Sequence, residues 1–445
     1  MIMRQYINHM VVTRPIRISP DKECIDSKVS IVIPVVNGGV KFVNLLSKIN
    51  SQKRVPNVEV IVLDSGSKDD TVHVAKSFGA KVIQIPPHEF NHGSTRQVGV
   101  DNATGDLILL TVADAYPVSD YWLYKMVKCM QDNPEISVVS ARQMVNKSAD
   151  LYSRLTIELM YPFLNFNNDC KYFLRDPRTF SDLPFLVKRY VSFVDDVCAC
   201  YRAKVFEMFS FNPVSNAEDI DIGVRLVKSG HCIGFLYTTG VFHWHSDGPD
   251  YFLKRHFNGI ISFVSLFDLN IPNFINGVRL KDIALSSELL YRKFELAFRQ
   301  WEVNSRIQYM DLLNLLSLIK NRSLKYLRCQ EKYMVRESAL SLQNLLKKLS
   351  CNLYKENACK DIVGANYIET LFVNTLWNLF NYIPTDRYFL ALTKWDIYDV
   401  ALKVMASTIG DTLGWWFMAQ KRMGNHEEAE TIFTLLSKGV CYKSP

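Results

Sequence analysis

Residues 29–39 read VSIVIPVVNGG, and residues 58–71 read VEVIVLDSGSKDDT. Each begins as a short Val- and Ile-rich run and ends in turn-forming residues. In the first these are Pro34 and Asn37-Gly38-Gly39, and in the second Ser65-Gly66-Ser67. Runs of this kind are strands buried on both faces of a sheet. Between them Phe42, Leu45, Leu46 and Ile49 recur at a helical period. Strand, helix, strand is the repeating unit of a mainly parallel α/β layer.

The same alternation continues outward. TVHVAKSFG (71–79) predicts a helix that Ser67 or Asp69 can cap, with Gly79 just past its end. KVIQI (81–85) is a third strand. A loop with His88, Asn91, His92 and Gly93 leads to a helix near Ser94, and LILLTV (107–112) is a fourth strand running into Ala113-Asp114-Ala115. ISVVSARQMV (136–145) predicts a strand, LYSRLTIELM (151–160) a helix and residues 166–193 a long loop. Glu218 to Gly230 predicts a helix, and CIGFLYTTGVFHWH (232–245) a last strand.

After about residue 255 the texture becomes helical, with Leu342, Leu345, Leu346 and Leu349 on one face. Ile368, Leu371, Phe372, Leu376, Leu379 and Phe380 form a second such stripe. The segment GWWFMAQKRMGNHEEAETIFTLL (414–436) has the spacing of one helix pair of a tetratricopeptide-type repeat. The expected division is an extension over 1–28, an α/β domain over 29–255 and an α-helical region over 256–445 with a tetratricopeptide-like end.

A chain of 445 residues exceeds one hydrophobic core, which agrees with more than one domain. The net charge of +7 is spread thinly, without the basic run of a nucleic-acid tail. It suits anionic small molecules or an anionic membrane surface. Ten cysteines sit at scattered spacings, Cys198 and Cys200 being the close pair, which reads as reduced thiols of a cytoplasmic protein. The first residues lack the apolar run of a signal peptide, and Ile260–Ile275 is interrupted by Asp268, Asn270 and Pro272. The expectation is a cytoplasmic chain, soluble or peripheral at the inner face of the membrane.

Polar groups at strand ends carry the chemistry, because ligands of open α/β sheets bind beyond the carboxyl ends of the strands. Asp64 closes the second strand, where turn formation is the plain alternative. Asp114 follows four apolar residues, and a divalent cation bridging it to a diphosphate would satisfy its charge. A buried Asp paired with an Arg or backbone N–H is the competing reading. Glu218 and Asp219 open a helix, where acids complement the dipole. Two adjacent carboxylates also raise each other's proton affinity, which suits a general base. His243 and His245 are two apart on a strand, so both rings share a face and can ligate a metal. Arg96 sits in the first turn of a helix, within reach of a phosphate or base, though a surface salt bridge is the default for a single Arg.

VSIVIPVVNGG, VIVLDSGSKDDT, STRQVGVDNATGD, TVADAYP, AEDIDIGVRLVKSG and VFHWH, in this order, resemble inverting glycosyltransferases of family 2 with a GT-A fold. The loop HEFNHGSTR (88–96) is similar to that of the bacterial rhamnosyltransferase-like branch. The resemblance covers about residues 29–255. It implies an α/β GT-A mixed sheet flanked by helices, followed by an all-α C-terminal domain. It further implies a nucleotide-sugar donor, a glycan or lipid-linked acceptor, and a divalent cation, Mg²⁺ or Mn²⁺. By position, Asp64 would bind the donor nucleoside with Pro34, Val35 and Asn37 near the base, and Arg96 would contact nucleotide or phosphate. Asp114 corresponds to the last Asp of the DxD metal motif, completed by His245 and His243. Asp219 would be the catalytic base, with Glu218 shaping the acceptor pocket. Val112 stands where the motif has its first Asp, an acid that the rhamnosyltransferase-like branch similarly lacks. The helical region is a candidate for homo-oligomer or peripheral membrane contact. Two other readings stay open: a degraded transferase domain acting as a non-catalytic glycan- or nucleotide-binding scaffold, and, less favoured, a nucleotidyltransferase.

Overall fold

The computed structural model describes residues 9–19, 24–214, 216–303, 307–321, 340–345, 365–382 and 392–437. The chain divides into two compact units, residues 1–149 with 157–245, and residues 150–156 with 246–445.

The first unit contains a ten-stranded mixed sheet. Its strands are β1 (Val11–Pro15), β2 (Val29–Val35), β3 (Val58–Asp64), β4 (Lys81–Gln84), β5 (Leu107–Thr111), β6 (Tyr116–Pro117), β7 (Ile136–Met144), β8 (Cys170–Leu174), β9 (Cys198–Arg202) and β10 (Cys232–Phe242). They lie in the order β1-β8-β10-β7-β9-β5-β2-β3-β4, with β6 paired to β10. The helices of this part of the chain are α1 (Gly39–Asn50), α2 (Thr71–Ser77), α3 (His92–Asp101), α4 (Trp122–Asp132), α5 (Leu151–Phe163), α6 (Phe185–Val191) and α7 (Glu218–Lys228).

Pairing directions decide where the polar ends go. β2 is parallel to β3 and β5, and β10 is parallel to β7. β9 is antiparallel to both β5 and β7, so β5 and β7 point the same way. The carboxyl ends of β2, β3, β5, β7 and β10 therefore share one edge of the sheet, and β9 starts from that edge. Between sheet and helices the core is apolar: Ile31, Ile33, Phe42, Leu46, Leu109, Trp122, Met126 and Val139 are almost fully buried. Cys198 and Cys200 lie in it as free thiols, consistent with the alternate positions of one buried strand.

The first two strands, their helices and the strand at 107–111 form where the pattern places them. α3 starts at His92, two residues before Ser94, because the Asn91 side chain accepts the Ser94 N–H at 3.1 Å and caps it. Gly79, at φ 77°, lies just past α2 as expected.

Residues 166–193 correct the expectation of a long loop: they contain β8, a short 3₁₀ turn and α6. The cause is tertiary. Phe166 packs on Phe235 with ring centroids 4.4 Å apart, on Tyr190 at 4.9 Å and on Phe193 at 5.0 Å. β8 pairs with β1 and β10, partners far away in sequence. β1, β9 and α4 were likewise not anticipated; short strands completed by distant partners leave little local signal.

In the second unit the described helices are α8 (Pro249–Phe267), α9 (Leu280–Gln300), α10 (Tyr309–Lys320), α11 (Ala365–Tyr382), α12 (Lys394–Met423) and α13 (His426–Ser437). The stripe of α11 is buried at Ile368, Phe372, Leu376, Leu379 and Phe380. In the other stripe Leu342 and Leu345 are buried, while Leu346 and Leu349 lie outside the described residues. α12 lies against α8 through Gly410 and Gly414; a Cβ at Gly410 would stand 2.2 Å from the Leu253 carbonyl oxygen. Small residues permit that approach. Among the described residues, no helix is long and apolar enough to cross a membrane.

Phe166 is fully buried in the aromatic cluster. Phe166→Ala is expected to lower the unfolding free energy by about 3–5 kcal/mol. Urea denaturation checks this, and a loss below about 1 kcal/mol would contradict a packed role for the segment.

Candidate active site

Three groups of side chains gather at the shared edge. The first comes from the turns after β2 and β3, whose residues Val35 and Asp64 are register partners. Asp64 is buried, and its carboxylate accepts the N–H groups of Gly66 at 3.3 Å and Ser67 at 3.2 Å. Asn37 adopts φ 47°; its side-chain oxygen accepts the Lys68 N–H at 2.8 Å and its own N–H donates to Ser67 Oγ at 2.8 Å. Gly38 N–H donates to Thr71 Oγ1 at 2.8 Å. The two turns are thus stitched together, which places Pro34, Val35, Asn37 and Asp64 side by side. The hydrogen bonds of Asp64 are those of the turn reading.

The second group is Asp114, His243 and His245. One ligand atom from each lies within 4.8 Å of the others. Asp114 sits three residues past β5, and β10 carries the histidines to it: His243 N–H donates to the Met144 carbonyl at 3.0 Å, prolonging the β7–β10 pairing by one residue. His243 Nε2 is 3.4 Å from Asp114 Oδ1, and Lys41 Nζ is 3.5 Å from Oδ2. The two imidazole rings meet edge to face at 4.8 Å. Burial works to raise the proton affinity of Asp114. A hydrogen bond from His243 and the positive charges of His243, His245 and Lys41 outweigh it and hold the carboxyl far below its usual range.

The third group surrounds Arg96. Only 4% of this residue is exposed, so the surface salt bridge expected of a single Arg is corrected to a buried one. Its Nη1 is paired with Glu218, and its Nε lies 3.6 Å from Asp196 Oδ2. Tyr201 donates to the other Asp196 oxygen at 2.7 Å. Asp196 and Glu218 differ in what they feel. Burial raises both, and the guanidinium lowers both, but Glu218 ends below its ordinary value and Asp196 above it.

Asp219 is pushed well above the carboxylate range by burial, then by the charges of Glu218, Asp196 and Asp195, against which Arg96 pulls more weakly. The preceding residue, Ala217, has φ 64°, a left-handed conformation costly for a residue with a Cβ. It turns the chain sharply into the first turn of α7, where Glu218 and Asp219 stand.

Gln143, Asp195 and Asp196 were missed in the sequence. The Gln143 side chain links His243 Nδ1, at 2.8 Å, to Asp195 Oδ2, at 2.6 Å. The signal available was the pair Asp195-Asp196 before an unrecognised strand, which only the pairing of β9 with β5 and β7 brings to this edge.

Residues 30–208 match the family described as glycosyl transferase family 2. The chain is 29% identical over 235 residues to an O-antigen chain rhamnosyltransferase of Salmonella typhimurium, covering 52% of this chain and 71% of that protein. It is 25% identical over 233 residues to an O-antigen chain rhamnosyltransferase of Salmonella anatum, covering 52% and 70%. Among solved structures it is similar to a mannosyltransferase from Pyrobaculum calidifontis in complex with GDP-Man and Mn²⁺. That likeness has 15% identity and a TM-score of 0.41, and covers 90% of this chain and 92% of that one.

Replacing Arg96 by Met leaves Glu218 and Asp196 buried without their counter-ion. The expected cost is about 3–5 kcal/mol of unfolding free energy, read by chemical denaturation at neutral pH. An unchanged midpoint would show that the pairing does not hold α3 to α7.

Proposed function

We propose that this chain, which carries a family 2 glycosyltransferase domain, transfers a sugar from a nucleotide-diphospho-sugar to a hydroxyl of a glycan or lipid-linked acceptor with inversion at the anomeric carbon. The observation that carries the reading is one sheet edge holding a cation-type cluster (Asp114, His243, His245) and a half-buried carboxylate of raised proton affinity, Asp219. Groups whose surroundings push their proton affinities apart are suited to different roles.

Asp219 accepts the proton of the acceptor hydroxyl as its oxygen attacks the anomeric carbon from the face opposite the diphosphate. One displacement inverts that carbon, and no covalent intermediate is needed. Glu218, neutralised by Arg96, keeps its position beside the base and shapes the acceptor side. Asp64, Pro34, Val35 and Asn37 form the surface for the nucleoside. Arg96 approaches nucleotide or phosphate only if its buried pairing opens, and its first role in this reading is to hold Glu218. One carboxylate oxygen and two imidazole nitrogens form a hard-to-borderline donor set that suits Mn²⁺ better than Mg²⁺, which prefers oxygen ligands. When bound there, the cation neutralises charge on the leaving diphosphate. The absence of an acid at Val112 leaves Asp114 as the single carboxylate of this set. Likeness to O-antigen chain rhamnosyltransferases supports rhamnose as the sugar and a surface polysaccharide as the product.

The direct test is a donor screen by nucleotide release with and without Mn²⁺. Turnover supports the reading. Donor binding without turnover by any acceptor would favour a non-catalytic scaffold. Asp219→Asn is expected to lower kcat by about 10²–10⁴-fold while donor affinity and folding persist. Full activity in that variant would remove Asp219 as the base.

The pH profile gives an independent check. A raised proton affinity keeps Asp219 protonated where an ordinary Asp is already ionised, so activity rises with pH through a limb above the normal carboxylate range. Glu218→Gln removes the nearby negative charge and frees Arg96 to act on Asp219. Both effects lower that proton affinity, so the limb moves to lower pH. Movement the other way would contradict the assignment.

A further inference from the structure

The polar groups around His243 form a chain in which each hydrogen has one place to be. One oxygen of the Asp195 carboxylate accepts from Gln143 Nε2 at 2.6 Å and the other accepts the Val197 N–H at 3.1 Å. The Asp195 backbone N–H donates to Ser140 Oγ at 3.0 Å, and the residue is 7% exposed. An ionised carboxylate only accepts, so the amide nitrogen of Gln143 must be the atom that faces it. Gln143 Oε1 is thereby turned to His243 Nδ1 at 2.8 Å, and the hydrogen of the neutral ring lies on Nδ1. With the ring neutral, Nε2 keeps its lone pair beside Asp114 Oδ1, 3.4 Å away, whereas the charged ring, with a hydrogen on both nitrogens, donates to Asp114 there. The Gln143 main chain is also held, its N–H donating to the Tyr161 hydroxyl at 2.6 Å.

We propose that Gln143 and Asp195 are positioning residues that fix the Nδ1–H tautomer of His243 and so set the affinity for a divalent cation that neither of them touches. The inference rests on the reading of Asp114, His243 and His245 as a cation site. Two acceptors facing each other across 3.4 Å are satisfied by a cation between them, and the relay keeps that arrangement from collapsing into a His–Asp hydrogen bond of the neutral ring.

The relay makes an unusual demand on Asp195→Asn. Its side-chain oxygen can keep the Val197 bond, which turns its NH₂ group toward Gln143. The Gln143 amide must then turn over and donate to Nδ1, so the ring hydrogen moves to Nε2 and blocks the ligand position. Asp195→Asn is therefore expected to weaken Mn²⁺ binding about 10–100-fold, the usual effect of losing such a partner. Gln143→Leu, which deletes the link, should weaken it similarly, and the double variant no further.

The full chain is titrated with Mn²⁺ alone, then with each common nucleoside diphosphate, and free Mn²⁺ is read by electron paramagnetic resonance. His243→Ala serves as the reference, and ¹⁵N-histidine spectra report the tautomer. Loss of binding in His243→Ala, weakening in both relay variants and a switch to Nε2–H in Asp195→Asn support the proposal. Loss in His243→Ala with wild-type affinity or an unchanged tautomer in Asp195→Asn overturns the relay and leaves the cation site standing. No binding by the wild type, or wild-type binding by His243→Ala, overturns the cation site and the relay with it. If Gln143→Leu fails to unfold cooperatively, Asp195→Asn, which conserves shape, decides alone.

Discussion

The buried pairing of Arg96 with Glu218 and Asp196 obliges three segments distant in sequence to meet: α3, the entry to β9 and the first turn of α7. A guanidinium taken out of water must be neutralised, and both carboxylates that face it are themselves buried. Such a pairing adds little net stability over apolar packing of the same volume. It penalises every arrangement that separates its members, and so specifies one. Here the specified arrangement puts Asp219 beside three other acids.

From that arrangement follows an electrostatic division of labour. Arg96 holds Glu218 ionised, while Asp219, one residue on, feels burial and the surrounding negative charge more than it feels the guanidinium. Asp114 is in the opposite situation, with two imidazoles and a lysine close by. Two carboxylates of one chemical type are thus pushed in opposite directions on one sheet edge. One suits taking up a proton, and the other suits staying charged against a cation. Asp195 belongs to both regions. Its charge contributes to the raised proton affinity of Asp219, and its carboxylate orients Gln143 toward His243.

The helical unit follows other rules. α8 and α12 approach where Gly410 and Gly414 leave room, and the Tyr152 hydroxyl meets Ser407 Oγ at 2.9 Å within the same unit. Its stripes of Leu, Ile and Phe are ordinary amphipathic signals, which is why an all-helical region could be read from period alone.

The sequence by itself determined the local elements: β2, β3 and β5 from apolar runs bounded by turn residues, α1 from its period, and the ends of α2 and α7 from Gly79 and Gly230. It also placed Asp64, Asp114, Glu218-Asp219 and the His243–His245 pair at strand or helix ends, because a strand's length and alternation fix where its last residue falls. Tertiary structure alone decided the rest. The antiparallel insertion of β9 brought Asp195 and Asp196 to the site, aromatic packing ordered residues 166–193, and burial turned Arg96 from a surface cation into an internal one. The physical reason is range. Periodicity and turn chemistry act over a few residues and are written in them. Strand pairing, desolvation and Coulomb interaction act between residues that only folding brings together.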